Sequence, residues 1–348
     1  MGSFICSISE RDWIIARVKG IYGNKEGNIH RDGTYHEFSL STKYSIIRDL
    51  VGMKKGDNVF FHVLTNYGPS KVYGIYIVRE EPFYDNTKVW NDSQEIFPYR
   101  FLFKPHPKYV YLCNKGANIE VVDFYELIEQ RKIWTLATLE NEMNIEARSV
   151  RKIESGKETK EILRLLHRDF RQRHDKINIE FCPISLTKNY KHLEAYIQDI
   201  GKYENSIKAL LMYKLKKNDI SITNILGPVH DFMNEVFIAQ TTRKSIDILS
   251  IQNNRHNSKK YTICEVKTDK CQSDSLMQVL YYVDLFKRKE MVNICSDIVF
   301  GCLVGKRFDT EVLEFSKKRN KQNINEKIIL IEYNPYKNGT DAKLRRLS

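Results

Sequence analysis

The sequence contains no long apolar run and no regular cysteine pattern. Its most apolar stretches, such as residues 298–304, have the length of a β-strand and fall well short of the roughly 20 apolar residues of a membrane span. The 7 cysteines are scattered, and none forms a C-x-x-C pair. These absences argue against a transmembrane protein, a disulfide framework and a cysteine zinc site, and the prokaryotic cytosol or nucleoid is the expected location.

Acidic residues are too few to balance the basic ones. Lys and Arg number 56 against 44 Asp and Glu, which gives a net charge of +12. A basic chain of this kind favours a polyanionic partner, and nucleic acid comes before a membrane surface. With 348 residues, 42% of them hydrophobic, the chain is long enough for two packed domains, which argues against a disordered protein.

The region from about residue 190 shows the clearest order of elements. Apolar periodicity predicts the order α-β-β-β-α-β-α-β, which is typical of a mixed sheet flanked by helices. The predicted helices span residues 193–217, 276–289 and 311–319, and the predicted strands span residues 234–240, 245–251, 260–267, 297–304 and 328–333. Residues 252–259 are expected to join two of these strands as a hairpin.

The region before it divides by composition into two parts. Residues 1–112 are rich in strand patterns and aromatic residues, and Trp13, Phe60, Phe61 and Tyr76 are expected to be core. Residues 113–188 are expected to hold a helical extension and a linker, with helices near 121–128 and 157–170. The predicted domains are therefore 1–112 and 189–348, with 113–188 between them.

Acidic residues inside apolar strands give the sharpest chemical signal. Asp247 stands in the segment SIDIL, and Glu265 and Lys267 stand in ICEVK. A buried carboxylate is costly unless it is paired or binds a metal, and the hairpin brings Asp247 beside Glu265. Two carboxylates on neighbouring strands suit Mg²⁺, and Lys267 leaves its strand on the same face as Glu265. An ammonium there can orient an attacking water or stabilise charge on a phosphorane.

A structural ion pair is the alternative interpretation of these residues. The pattern E-x-K is common: Glu158 and Lys160 also match it, in a polar helix where it indicates no chemistry. What favours catalysis in the second region is the apolar strand context and the helix that follows. That helix carries Gln278 and Tyr282 on one face, four residues apart.

Taken together, Asp247, Glu265-x-Lys267 and Gln278-x-x-x-Tyr282 resemble the PD-(D/E)XK nucleases, in particular the RecB-like branch with its Q-x-x-x-Y helix. The resemblance covers roughly residues 190–305. It implies that Asp247 and Glu265 bind Mg²⁺, with Mn²⁺ as the alternative metal. It also implies that Lys267 assists the attacking water and that Gln278 and Tyr282 position substrate or metal.

Further site residues follow from the same resemblance. The carbonyl of Val266 is implied as an additional metal ligand. The family often has a glutamate on its first core helix, and Glu194 is the first candidate for it, with Glu204 as the alternative. The proline that names the motif is absent, since Ile246 precedes the aspartate.

The N-terminal region carries a second set of motifs. The series GIYG, KGDNVFF, YGI, EPFYDNTKVW and FPYR resembles, in this order, the EVE domain, a PUA-like β-barrel related to the YTH readers of methylated adenine. Such a reader holds a flipped base between flat rings, with polar groups reading its edge. The resemblance implies Tyr22 and Trp90 as walls of the cage, Ser7 as a polar reader, and Tyr84 or Asp85 as completing it.

The two resemblances together imply a modification-dependent DNA endonuclease similar to type IV restriction enzymes. Its expected partner is double-stranded DNA that carries a modified, methylated base, and cutting of both strands favours a homodimer. Two alternatives stay open at this stage. One is a nuclease that acts on structured DNA or RNA, and the other is a non-catalytic reader of modified RNA.

Overall fold

The computed structural model describes residues 1–65, 68–90, 96–136, 138–139, 142–143, 149–175, 180–185, 190–237, 244–253, 258–289, 291–293 and 295–348. The chain divides into two compact units, residues 1–193 and 194–348. The first unit therefore contains both the predicted strand-rich region and the region expected to be helical. No helix among the described residues is long and apolar enough to cross a bilayer.

The first unit is built on a mixed sheet with helices around it. Its strands are β1 (Ser3–Ser9), β2 (Ile21–Asn24), β3 (Gly27–Ile29), β4 (Tyr35–Glu37), β5 (Asn58–Leu64), β6 (Lys71–Tyr84), β7 (Tyr99–Pro105), β8 (Asn118–Glu120), β9 (Thr138–Leu139), β10 (Glu142–Met143), β11 (Val150–Ile153) and β12 (Lys191–His192). Its helices are α1 (Glu10–Lys19), α2 (Leu40–Val51), α3 (Val110–Lys115), α4 (Val121–Glu129) and α5 (Lys157–Asp169), with a 3₁₀ turn at Pro107–Tyr109. The helices expected near 121–128 and 157–170 are confirmed.

Strand pairing in this unit follows the order β11-β1-β5-β6-β7-β2, with β8 and β12 also paired to β6. β1 and β5 are parallel, and the other pairs are antiparallel. The expected β-barrel is not reproduced, because β2 and β11 do not pair and the sheet stays open among the strands that the structure describes.

The core of the first unit forms where helices cover the sheet. Phe60 of β5 packs with Leu127 of α4 and with Ile162 and Leu166 of α5. The four residues expected to be core, Trp13, Phe60, Phe61 and Tyr76, are all buried, as predicted. Gly20 ends α1 in the left-handed conformation with φ 64°, which a residue with a Cβ rarely adopts.

The second unit is a mixed sheet with helices, as the periodicity predicted. Its helices are α6 (Glu204–Lys217), α7 (Ile220–Leu226), α8 (Ser273–Lys287) and α9 (Thr310–Gln322). Its strands are β13 (Asp231–Phe237), β14 (Ser245–Asn253), β15 (Lys259–Val266), β16 (Lys270–Cys271), β17 (Ile298–Gly305), β18 (Arg307–Phe308), β19 (Ile328–Pro335) and β20 (Ala342–Arg346). The main sheet has the order β13-β14-β15-β17-β19-β20, with β15, β17 and β19 parallel.

One predicted helix of this unit is wrong. Residues 193–217 do not form one helix, because a 3₁₀ turn at Leu193–Tyr196 comes first and α6 begins only at Glu204. Between them, Asp199 and Gly201 have positive φ values of 53° and 91°, which are incompatible with a right-handed helix. Residues 238–240, the predicted end of one strand, and residues 254–257, the middle of the predicted hairpin, lie outside the described residues.

A glycine lets α8 approach the sheet closely. A Cβ on Gly301 of β17 would lie 2.6 Å from Cγ1 of Val279, so any larger residue would push the helix away. This contact positions the neighbouring Gln278 beside the end of β15.

Candidate functional site

The two acidic residues of the predicted hairpin face each other across antiparallel strands. The register of β14 and β15 pairs Ile248 with Cys264, which places Asp247 opposite Glu265. Both side chains are buried, at 6% and 3% exposure. The backbone N–H of Val266 donates a hydrogen bond of 2.8 Å to Oδ2 of Asp247, which fixes the orientation of that carboxylate.

Glu265 has one engaged oxygen and one free oxygen. Its Oε1 accepts hydrogen bonds from Nζ of Lys267 at 2.7 Å and from Nε2 of Gln278 at 2.8 Å. Nε2 of Gln278 also lies 2.8 Å from the hydroxyl of Tyr282, so the sequence pair four residues apart does reach the site. The other carboxylate oxygen of Glu265, Oε2, is buried and has no hydrogen-bond partner among the described residues.

Burial controls the protonation of the two carboxyl groups. Burial, and next the charge of Asp247, raise the pKa of Glu265 to about 7. Burial likewise raises the pKa of Asp247, although the charge of Lys208 opposes the shift. Burial lowers the pKa of Lys267, but its bond to Glu265 more than offsets this, so the pKa is raised and the side chain stays an ammonium near neutral pH. Two buried carboxyl groups of raised pKa hold their charge only with a cation nearby.

Two residues that the sequence interpretation missed complete this environment. Lys208 of α6 is buried, and its ammonium contacts Oδ1 of Asp247, Oε1 of Glu204 at 2.7 Å and Oε1 of Glu235 at 3.3 Å. Glu235 also accepts a hydrogen bond of 2.7 Å from the hydroxyl of Ser245. The sequence signal for Lys208 is its position between the apolar residues Ile207 and Ala209. This position indicates burial, and a buried ammonium requires charged or polar partners.

The two candidates for the helix glutamate are placed differently. Glu194 lies in the 3₁₀ turn before α6 and makes no hydrogen bond or ion pair to Asp247 or Glu265 in the described part of the chain. Glu204 is the first residue of α6 and reaches the site through its contact with Lys208. The late start of α6 is the physical reason for this difference.

The donor set of this site fits a hard divalent cation. The free Oε2 of Glu265, the carboxylate of Asp247 and the carbonyl of Val266 are oxygen ligands of the kind Mg²⁺ prefers. Among the described residues, no group of three or more His, Cys, Asp or Glu side chains forms a metal cluster. Mg²⁺ often uses only one or two carboxylates and completes its shell with water and substrate phosphates. Two opposed carboxylates are thus a donor set that could hold such an ion.

The first unit contains a separate cavity of about 450 Å³. Its walls include the rings of Phe38, Trp90 and Phe97, and its polar lining includes Ser7, Asn24 and Asp49. Ser7 and Trp90, two of the residues expected to bind a base, therefore share one cavity. Its size falls in the ordinary range of small-molecule sites.

Two buried donors of this cavity lack partners in the part of the chain that the structure describes. They are Nε1 of Trp90 and Nδ2 of Asn24, on side chains whose residues are 3% and 7% exposed. Buried donors are nearly always satisfied in folded proteins. A ligand with acceptor atoms at its edge is one way to satisfy these two.

Tyr22 does not line this cavity; the structure places it in the core behind it. The side chain is 1% exposed, and its ring packs against Phe101 with centroids 5.1 Å apart. Its hydroxyl donates to the carbonyl of Ser149 at 2.9 Å and lies 3.2 Å from Oδ1 of Asn24. Ile21 and Tyr22, the first two residues of β2, are both buried. Tyr22 therefore supports Asn24 from the core and does not form an open wall of the cavity.

Tyr84 and Asp85 also lie outside the lining of the larger cavity. The hydroxyl of Tyr84 donates to Glu26 at 3.0 Å. Asp85 forms an ion pair of 3.3 Å with the buried Arg100, and both line a smaller cavity of about 350 Å³. Arg100 lies 5.8 Å from the ring of Trp90, so it links Asp85 to the wall of the larger cavity.

Comparison with known families identifies a related domain in the first unit. Residues 42–165 match the EVE domain. The match includes Asp49, Trp90 and Phe97 of the cavity and extends past residue 112. It supports a PUA-like domain that reads nucleic acid or a modified base. No curated protein matches the chain.

Proposed function

We propose that this protein is a Mg²⁺-dependent endonuclease that cuts double-stranded DNA carrying a modified base. The cavity of the first unit holds the flipped base, and the carboxylate site of the second unit hydrolyses a phosphodiester bond. The observation that carries the nuclease part is the free, buried Oε2 of Glu265 opposite Asp247. A buried carboxylate without a partner on one oxygen stays ionised at neutral pH only beside a cation, and two opposed carboxylates supply a site for one.

Each residue of the site has a definable task in this proposal. A bound Mg²⁺ supplies a Lewis acid and a polarised water. The N–H of Val266 holds Asp247 in one orientation, and Gln278 holds Oε1 of Glu265, so that Oε2 stays free. Lys267 retains its proton and therefore acts as a positive charge, which orients the water and stabilises the additional negative charge of the transition state.

The cavity offers both stacking surface and hydrogen-bond donors to a flipped base. Trp90 and Phe97 offer aromatic surface for stacking, and ring centroids 4.9 Å apart join them into one wall. The free donors of Trp90 and Asn24 can bind acceptor atoms of the base edge. A methyl group on the base would add apolar area that such a wall rewards.

Cutting of both strands implies two copies of the site. Each chain carries one such pair of opposed carboxylates in its described residues, so we propose that the active form on DNA is a homodimer. Sedimentation of the protein with a modified duplex measures this directly, and a complex of one chain per duplex that cuts both strands would contradict it.

Digestion of matched substrates tests the proposal. The substrates are one plasmid with and without methylated bases, and an RNA of the same sequence, each with Mg²⁺ and with a chelator. The proposal predicts cleavage of the modified DNA only, and only with Mg²⁺. Equal cleavage of unmodified DNA or RNA would favour a nuclease of other specificity, and tight binding of modified RNA without cleavage would favour a non-catalytic reader.

A further inference from the structure

The ammonium of Lys208 lies where the carboxylate site needs positive charge. It contacts Oδ1 of Asp247, the oxygen that Val266 leaves free. The same ammonium is held by Glu204 at 2.7 Å and by Glu235 at 3.3 Å. Lys208 therefore contacts three carboxylates among the described residues, and of these three Asp247 belongs to the proposed metal site.

The charges around Lys208 and Lys267 leave an excess that matches one divalent ion. Among the ion pairs that the structure describes, Asp247, Glu265, Glu204 and Glu235 supply four carboxylates against two ammonium groups. Two negative charges are left over when all four are ionised. The free Oε2 of Glu265 independently marks a buried oxygen at which this arrangement can accept a cation.

Lys208 and a divalent ion cannot share Asp247 without cost. A hydrogen bond to one oxygen and a metal bond to the same oxygen would leave the two cations within about 5 Å of each other. In a buried site with little water, such repulsion is strong. Glu204 and Glu235 offer the ammonium a second position that keeps it paired.

We propose that Lys208 is an internal counter-cation, which neutralises Asp247 in the metal-free protein and moves onto Glu204 and Glu235 when a divalent ion binds. Lys208 then competes with the divalent ion for Asp247 and holds this carboxylate in place until the metal arrives. This inference rests on the proposed function, because it needs the carboxylate pair to be a metal site. It gives Glu204 a role as the acceptor of the lysine rather than as a metal ligand.

Mn²⁺ binding without DNA tests this role, with free Mn²⁺ measured by electron paramagnetic resonance. Lys208→Met removes the competing charge, and Mn²⁺ affinity should rise about tenfold or more. Lys202→Met is the matched control, because Lys202 is 74% exposed and pairs only with Asp199 among the contacts described. Its affinity should stay at the wild-type value. An unchanged or lower affinity of Lys208→Met would overturn the proposal.

Glu204→Gln keeps the proposal testable if Lys208→Met does not fold. The Glu204 side chain is 40% exposed, and its neutralisation leaves the buried ammonium of Lys208 paired with Asp247 and Glu235. Lys208 would then stay on Asp247, and Mn²⁺ affinity should fall about threefold or more, a loss that should shrink when Lys208 is also replaced. The same affinity as wild type would contradict the role of Glu204.

The Mn²⁺ measurements distinguish a failure of this inference from a failure of the proposed function. If the wild-type protein and Lys208→Met bind Mn²⁺ equally well, the metal site stands and the counter-cation role is wrong. If neither protein binds Mn²⁺ at millimolar concentration, the proposed metal-dependent nuclease is wrong, and this inference falls with it.

Discussion

Glu235 lies opposite Asp247 on the neighbouring antiparallel strand, and its backbone is left-handed with φ 51°. The pairs Asn234 with Ile248 and Val236 with Ile246 flank it, so the strands stay in register on both sides. A left-handed residue other than glycine costs roughly 1–2 kcal/mol and persists where the surrounding structure enforces it. This strain aims the Glu235 carboxylate at Lys208 and Ser245.

The strain at position 235 predicts that the usual order of stability of an alanine and a glycine variant is reversed there. Glu235→Ala and Glu235→Gly both lose the carboxylate, but only glycine adopts the left-handed backbone freely. We expect the glycine variant to be more stable than the alanine variant by about 1 kcal/mol, although glycine in a strand is ordinarily the less stable of the two. Thermal unfolding of the second unit measures the difference, and an alanine variant of equal or higher stability would show that no strain is present.

Glu158 provides a second prediction, on stability. Sequence patterning assigned it to a polar helix, yet it is fully buried and accepts hydrogen bonds from the backbone N–H groups of Trp134, Thr135 and Glu154 and from the Thr135 hydroxyl. Glu158→Ala leaves these buried donors without an acceptor, so we expect the free energy of unfolding to fall by about 3 kcal/mol or more. Glu161→Ala on the same helix removes only a part-exposed ion pair and should change stability by less than about 1 kcal/mol.

Tryptophan fluorescence is the natural measurement for that pair. The chain has 3 tryptophans, and Trp13, Trp90 and Trp134 all belong to the first unit. Urea unfolding followed in this way therefore reports the unit that contains Glu158. Equal midpoints for the two variants would mean that the hydrogen bonds of Glu158 contribute little.

The protonation of Glu265 predicts the pH dependence of metal binding. Its pKa is raised to about 7, so below that pH a proton occupies the carboxyl group that the metal needs. Above pH 7 the affinity for Mn²⁺ should be nearly constant, and below it the affinity should fall about tenfold per pH unit. An affinity that stays constant from pH 8 to pH 5.5 would show that Glu265 binds no metal.

The cavity residues of the first unit predict a difference between two aromatic substitutions. Trp90→Ala removes a stacking wall, so the preference for modified over plain DNA should fall about tenfold to a hundredfold. Tyr22→Phe keeps the ring in the core and removes only the hydroxyl near Asn24, so it should change this preference less. Titrations of matched duplexes at fixed salt measure both. If Trp90→Ala retains the wild-type ratio of affinities, the base is bound elsewhere.

The sequence was most informative where a polar residue interrupts an apolar strand. Asp247 and Glu265 could be placed opposite each other from local pattern alone, because two strands joined as a hairpin leave few registers. Gln278 could be added because helix periodicity places it on one face with Tyr282. These inferences needed only near neighbours in the chain.

Contacts between distant segments were beyond the sequence patterns. The meeting of Lys208 with Glu235 depends on the packing of α6 against the sheet, which no local pattern encodes. The choice between Glu194 and Glu204 depended on where the helix begins, and the left-handed backbone at Asp199 is not visible in composition. The resemblance implied Tyr22 as a cage wall, but tertiary packing, which the local sequence does not reveal, buries this side chain in the core.

The most direct test of the account is cleavage of a methylated plasmid with Mg²⁺ by Asp247→Asn. This change keeps the shape of the side chain and removes the charge of the proposed ligand. Asp297→Asn is the matched control, because Asp297 accepts the backbone N–H of Lys259 at 2.8 Å at the far end of β15. We predict that the wild-type protein and Asp297→Asn cut the modified plasmid, while Asp247→Asn binds it without cutting. Cleavage by Asp247→Asn at the wild-type rate would contradict the account.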